Sequence, residues 1–210
     1  MALVFPSTHP VVHHKLSALR STETRPSEFR GLVRSLATLL AHEATADLAA
    51  RDDEVTTPLG RAKTRVLADT IGVVPILRAG LGMADGVLDL VPDAEVWHVG
   101  LFRDEHTLRP TEYYNKVPSP CRVTLALVVD PMLATGGSAV WTCEVLKAAG
   151  ISRLKFLALI AAPEGVERLS KAMPDVPIHV GVIDERLNEV GFIYPGLGDA
   201  GDRQFGTSNG

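Results

Sequence analysis

Apolar residues in this chain follow two rhythms. Across residues 27–50 (SEFRGLVRSLATLLAHEATADLAA), Phe29, Leu32, Val33, Leu36, Leu39 and Leu40 recur at helical spacing. They predict a long amphipathic helix that starts near Ser27, with Glu28 and Arg30 close by. The polar stretch RDDEVTTPLGRAKTR comes next and predicts a loop or a short hairpin. From residue 71 the rhythm changes. Short apolar runs rich in β-branched residues occupy 71–77 (IGVVPIL), 96–102 (VWHVGLF), 123–129 (VTLALVV), 154–161 (LKFLALIA) and 178–183 (IHVGVI). Unbroken apolar strands of this kind suit a sheet covered on both faces. Helical patterns over 81–90, 138–149 and 165–173 separate several of them. The alternation predicts an α/β fold, a parallel central sheet with helices on both faces. Ligands of such sheets sit beyond the carboxyl ends of the strands.

Composition narrows the function classes. The 210 residues are 46% hydrophobic and 22% charged, ordinary for a globular protein and enough to bury a core in one domain. Twenty-one Lys and Arg face 25 Asp and Glu, for a net charge of −4, which argues against a nucleic-acid binder. No apolar run reaches the roughly 20 residues of a membrane helix, so no membrane partner is expected. The start, MALVFPSTHPVVHHK, does not read as a signal peptide. Cys121 and Cys143 form no CxxC pair, and a reducing cytoplasm is the simpler reading.

Candidate chemistry gathers after three strand patterns. The run 123–129 leads into Asp130-Pro131-Met132-Leu133-Ala134-Thr135-Gly136-Gly137-Ser138, and a helix pattern follows with Gly150 as its stop. Two glycines let the backbone turn tightly and approach a ligand. Their N–H groups and those of the first helical turn converge on one point, a socket for a phosphate, with Thr135 and Ser138 adding hydroxyls. Asp130 is placed to hold sugar hydroxyls or a water on a magnesium ion. The plainer alternative is a strand–turn–helix connection capped by Ser or Thr. There is no GxxxxGK[ST], and Gly80, Gly82 and Gly86 miss the dinucleotide spacing by one residue. Arg78 and Arg103 each end a strand pattern, where a guanidinium can fork onto a pyrophosphate or simply form a surface salt bridge. Residues 103–118 read as a long polar loop, either one that closes over a reacting centre or a solvated hairpin. Residues 190–207 (VGFIYPGLGDAGDRQFGT) are too rich in glycine for regular structure. They predict either a tail of tight turns or a loop whose bare backbone reads the C=O, N–H and C=O edge of a pyrimidine. His9, His13 and His14 lack a ligand set for a metal, His98 and His106 are not assigned to catalysis, and Cys143, Trp97 and Trp141 read as core or contact residues.

VVDPMLATGGSA resembles the phosphoribosyl pyrophosphate loop of the type I phosphoribosyltransferases, in the form of the uracil branch of that family. ILRAGLGM, the FRDE segment, EATADL (43–48), AAPEG (161–165) and GFIYPGLGDAGDRQFGT match the same family, so the resemblance covers nearly the whole chain. It is weakest over 51–69. It implies uracil and 5-phospho-α-D-ribose 1-diphosphate (PRPP) as substrates, giving UMP and diphosphate in pyrimidine salvage, with Mg2+ held mainly by PRPP. It implies a donor site of Arg78, Arg103, Asp199 and residues 130–138, and a closing loop over the sugar. By the same match, Ile193, Gly198 and Ala200 meet uracil through the main chain, with Asp199 beside the donor. Asp130, Arg103 and Asp199 are the candidate catalytic residues. Asp199, water or the diphosphate can take the N1 proton. The implied architecture is a core over about 66–185 with a hood from 1–65 and 186–210. At least a homodimer is implied, and GTP activation occurs in some relatives. Two alternatives stay open: a transferase for another base, and a regulator on the same fold that binds the donor without turnover.

Overall fold

The computed structural model describes residues 3–103, 110–115, 117–118 and 121–207. The elements run β1 (Val4–Pro6), α1 (Pro10–Arg20), α2 (Pro26–Ala44), β2 (Ala50–Thr57), β3 (Gly60–Leu67), β4 (Ile71–Pro75), α3 (Leu81–Leu90), β5 (Glu95–Val96), β6 (Val99–Arg103) and β7 (Pro110–Asn115). They continue as β8 (Leu125–Val129), β9 (Met132–Leu133), α4 (Gly137–Ala148), β10 (Leu154–Ala161), α5 (Pro163–Ala172), β11 (Ile178–Ile183), β12 (Arg186–Leu187), β13 (Ile193–Tyr194) and α6 (Ala200–Phe205).

The main sheet is parallel and runs β1-β11-β10-β8-β4-β5, with β9 also paired to β10. Alternate side chains of each strand enter opposite cores, as the pleat requires. Ile71, Val73, Leu125, Leu127 and Val129 face one layer, with Phe29, Leu36 and Leu40 of α2 and Met83 and Val87 of α3. Val74, Ala126, Val128 and Phe156 face the other, with Cys143 and Leu146 of α4, Leu169 of α5, and Trp97. The predicted parallel sheet with helices on both faces is therefore present. Among the described residues, no helix is long and apolar enough to cross a membrane.

Several expectations change in detail. The helix predicted over 27–50 spans Pro26–Ala44. Ser27 lies inside it, and Arg25 holds the N-cap position with Pro26 in the first turn. It ends at Ala44 with Thr45 as its C-cap, Thr45 Oγ1 donating back to Ala41 O at 2.7 Å, and buried Lys155 of β10 donates Nζ to the Ala44 carbonyl at 2.7 Å. The polar stretch after it is a hairpin with eight cross-strand pairs, Ala50↔Leu67 to Thr57↔Gly60. The run 96–102 is broken into β5 and β6. The described parts of 103–118 include β7, paired antiparallel to β6 with a bulge at Gly100/Leu101. That stretch is thus a hairpin in its described part, in keeping with the strand formers Thr111, Tyr113 and Tyr114. Residues 104–109, with His106 among them, lie outside the described residues. Gly150 ends α4 at φ +92°, with the Gly150 and Ile151 N–H groups bonded back to Lys147 and Leu146.

The amino-terminal segment, expected to form part of a hood, joins the sheet and its core. β1 is the sheet's edge strand, and α2 buries seven residues in the core it shares with α3 and the sheet. His9 caps α1 by accepting the Val11 N–H at Nδ1, and His13 Nε2 meets Ser7 O at 2.9 Å.

Candidate functional site

Counting only β4, β5, β8, β10 and β11, the strand order is 2-1-3-4-5. Chain progress reverses between β4 and β8, and in sheets of this kind the ligand crevice lies beyond the carboxyl ends of the two strands at such a point. The register pairs Pro75 with Val129, and the Ile76 N–H bonds Val129 O at 3.0 Å. Arg78 and Asp130 therefore leave adjacent strands at the switch point. The Leu77–Arg78 peptide is cis.

Asp130 is half-buried at the floor of this crevice and accepts the Met132 N–H at 3.3 Å. Burial pushes its carboxyl up to about 7. The charge of Asp199 pushes the same way, and the Met132 N–H opposes. The chain then returns to the sheet before it turns. Pro131 O accepts the Leu159 and Ile160 N–H groups, and β9 pairs with β10. The turn itself is Ala134–Ser138. Gly136, at φ +74°, is the N-cap of α4 and offers no side chain to cap it. This is not a helix start capped by Ser or Thr. No acidic residue stands in the first turn of α4, so its N-terminus is positive.

The turn is braced from behind by α5. Arg168 Nη1 donates to Thr135 O at 3.3 Å. Gly165 packs so closely that a Cβ there would lie 2.6 Å from Leu133 O and closer still to Ala134 O.

The carboxyl-terminal segment is more regular than its glycines predict. Ile193–Tyr194 pairs with Arg186–Leu187, and Ala200–Phe205 is a short helix. Asp199 caps that helix, its Oδ1 accepting the Asp202 N–H at 2.9 Å, and Gly206 ends it at φ +66°. The capping pattern Asp-x-x-Asp with a closing glycine is legible in the sequence. Between strand and helix, Tyr194–Pro195 is cis, and Gly196 and Gly198 have φ of +65° and +80°. Ile193 and Ala200 are buried at the two ends of this loop.

The loop and the helix dock on the switch point. Arg78 Nη2 lies 3.4 Å from Asp202 Oδ1. Gln204, fully buried, donates Nε2 to Ala79 O at 2.9 Å and to Ala200 O at 3.1 Å. Arg78, Asp130 and Asp199 are thus brought together at the switch point, with residues 131–138 following Asp130. Ile193, Gly198 and Ala200 lie in the segment that docks there, Ile193 and Ala200 with their side chains in the core. The backbone of Arg103 ends β6, and the tip that follows is outside the described residues.

Sequence reasoning missed the residues that carry the loop: Arg20, Asp184, Arg203 and Gln204. Arg203 donates to Leu19 O, Leu197 O and Ser21 O and lies over the Phe29 ring. Burial lowers the pKa of its guanidinium below the ordinary value. Asp184 could have been found, because like Asp130 it is an acid just past a strand end.

Comparison with known proteins agrees with this architecture. The family model described as uracil phosphoribosyltransferase matches residues 6–207. A uracil phosphoribosyltransferase from Roseiflexus castenholzii is 57% identical over 207 residues, covering 99% of this chain and all of that protein. The structure of the AQ2163 protein from Aquifex aeolicus superposes with a TM-score of 0.91 at 38% identity, over 99% of this chain and all of that one. An adenine phosphoribosyltransferase from Giardia lamblia shares the fold alone, with a TM-score of 0.52 at 12% identity over 74% of this chain and 81% of its own. A crevice built at the switch point, and a match that runs from the edge strand through the final helix, place the chain in the uracil phosphoribosyltransferase family.

Proposed function

We propose that the protein transfers the phosphoribosyl group of PRPP to N1 of uracil, giving UMP and diphosphate. One observation carries this reading. Asp130 with the glycine-capped start of α4, Arg78, and the segment that begins at Ile193 and carries Asp199 and Asp202 meet at the switch point, although they come from three separate stretches of chain.

Residues 134–138 cradle the 5-phosphate with backbone N–H groups and the positive end of α4. Asp130 accepts hydrogen bonds from the ribose hydroxyls. Arg78 exchanges its weak, half-exposed pairing with Asp202 for the diphosphate, and Arg103 closes on the same group from the β6–β7 hairpin. Charge grows on the diphosphate as the bond from C1′ to oxygen breaks, so fixed guanidinium groups stabilise the transition state more than the ground state. Closure of 103–118 keeps water from the cationic carbon while uracil N1 attacks it. The backbone of 193–200 reads the base, and Asp199 faces the donor side.

Mg2+ would be held mainly by PRPP, with Asp130 able to reach it through a water. Bound there, Mg2+ neutralises charge on the departing diphosphate.

A homo-oligomer in a reducing cytoplasm completes the reading. The β2–β3 hairpin packs almost wholly on itself and exposes Val55, Leu59 and Leu67. A lone two-stranded hairpin is marginal in water, so a second copy is its fitting partner. Sedimentation should give at least twice the 22.5 kDa chain mass, and L59D with V55D should halve it. A wild-type monomer would reject the dimer.

Chromatography of a mixture of protein, Mg2+, PRPP and uracil tests the reaction. UMP that disappears without Mg2+, and no product from cytosine, hypoxanthine or orotate, is the expected result. No UMP with or without GTP, while PRPP still binds by calorimetry, would favour the regulator instead.

A further inference from the structure

The 193–199 loop is suspended from a charge pair whose members lie 164 residues apart. Arg20, the last residue of α1, grips Asp184 with two prongs, Nη2 to Oδ1 at 2.5 Å and Nη1 to Oδ2 at 2.9 Å. The same Nη1 donates to Gly196 O at 2.7 Å. Asp184 Oδ2 accepts the Gly196 N–H at 3.0 Å. Gly196 is therefore held at both of its backbone groups, and its φ of +65° favours glycine there. The Asp184 side chain is only 5% exposed, and that of Arg20 is 25% exposed. A second tie reinforces the first, since Arg203 bonds Leu197 O together with Leu19 O and Ser21 O at the end of α1.

We propose that Arg20 and Asp184 are positioning residues that set affinity for the base, an inference that rests on reading 193–200 as the uracil subsite. Both Asp184 oxygens are engaged inside the clamp, so the pair acts through the loop. Gly196 stands two residues before Gly198 and three before Asp199. Fixing its N–H and C=O fixes the rotation and height of the main-chain groups that meet the pyrimidine edge. A backbone that reads a base needs this, because its donors and acceptors tolerate only about half an ångström of drift. The phosphate turn rides on β9 and α4 instead, and Asp199, the donor-side residue of this segment, is held by its own cap on the Asp202 N–H, so donor affinity depends far less on the clamp than uracil affinity does.

The test separates the two substrates. R20K keeps the charge, but a single ammonium cannot fork onto Asp184 and still reach Gly196 O. The KM for uracil should rise about tenfold, the value of one charge-assisted bond, while the KM for PRPP and kcat stay within about twofold. R20A risks misfolding, because it strands the buried Asp184 charge. The double variant R20M/D184N removes both charges together and should fold, with the same uracil-selective rise. Equal rises in both KM values, or no rise for uracil in either variant, would overturn the clamp. A wild-type protein that makes no UMP would overturn the function itself, and the clamp's role with it.

Discussion

Gly165 is the third residue of α5, and helix propensity alone says that alanine would be better there by about 1 kcal/mol. The tertiary structure says the opposite. A Cβ at that position lies 2.6 Å from Leu133 O, whereas ordinary contact begins at 3.4 Å. The Leu133–Ala134 backbone, at the start of the proposed phosphate turn, and α5 must therefore separate by at least about 0.8 Å. Neither side can yield by rotating a side chain, because both are backbone. Leu133 O is also bonded to the Ala162 N–H at 3.0 Å, so the two segments are stitched where they must part. Displacement on the scale of 1 Å in a positioned site costs up to about 100-fold in rate. G165A should lower kcat/KM for PRPP by roughly 10- to 100-fold. Overpacking of this kind costs ~1–3 kcal/mol, a fall in Tm of roughly 3–10 °C for a chain of this size. The assay is UMP formation with PRPP varied at saturating uracil, alongside thermal melts. G150A is the control. Its Cβ meets nothing within 4 Å, and its φ of +92° strains the backbone far from the site, so it should lower Tm and leave kinetics alone. A G165A protein with unchanged PRPP kinetics and a raised Tm would refute the reasoning.

Three further outcomes follow from the site and the core. Burial holds the Asp130 carboxyl near 7 against an ordinary 3.8, so its contribution to ligand-free stability is full below about 3.8 and lost as pH rises through about 7. D130N lacks this titration and should gain on wild type by roughly 2–4 kcal/mol between pH 4 and pH 8 while losing donor affinity far more than uracil affinity; a stability difference independent of pH would contradict the burial argument. R103A should lower turnover at least tenfold with Tm within about 2 °C, and unchanged steady-state kinetics would remove Arg103 from the site. Burial pushes the Cys143 thiol up to about 12, so at pH 8 a disulfide reagent should label one thiol per native chain, at Cys121, and two in denaturant; equal rates at both in the native protein would be the contrary result.

Much of the fold and the centre of the site can be read from the sequence because both rest on local pattern. Five apolar runs separated by helical patterns specify strands buried on both faces. Only the run 96–102 misleads, because two short strands share it. The turn at Thr135–Ser138 is legible because only glycine takes the φ of Gly136 cheaply. The acid at the end of β8 is legible because strand ends are where α/β sheets hold ligands. The helix in 200–205 was readable too, from its cap at Asp199, but glycine density obscured it.

What the tertiary structure alone decided is a matter of distance along the chain. β1 has three residues, too few for any period, and it is a strand only because β11 accepts it across more than 170 residues. Arg20 looks like a surface cation at a helix end until Asp184 and Gly196 arrive beside it. The Ala44 carbonyl at the end of α2 is satisfied by a lysine in β10, 111 positions away, which nothing near it in sequence announces. The raised Asp130 carboxyl depends on the burial of a crevice and on Asp199, 69 positions away. Periodicity reports how a segment meets a core. It carries no record of which distant segment will supply that core, its charge or its hydrogen bonds, and those contacts turn a glycine loop into a shaped wall.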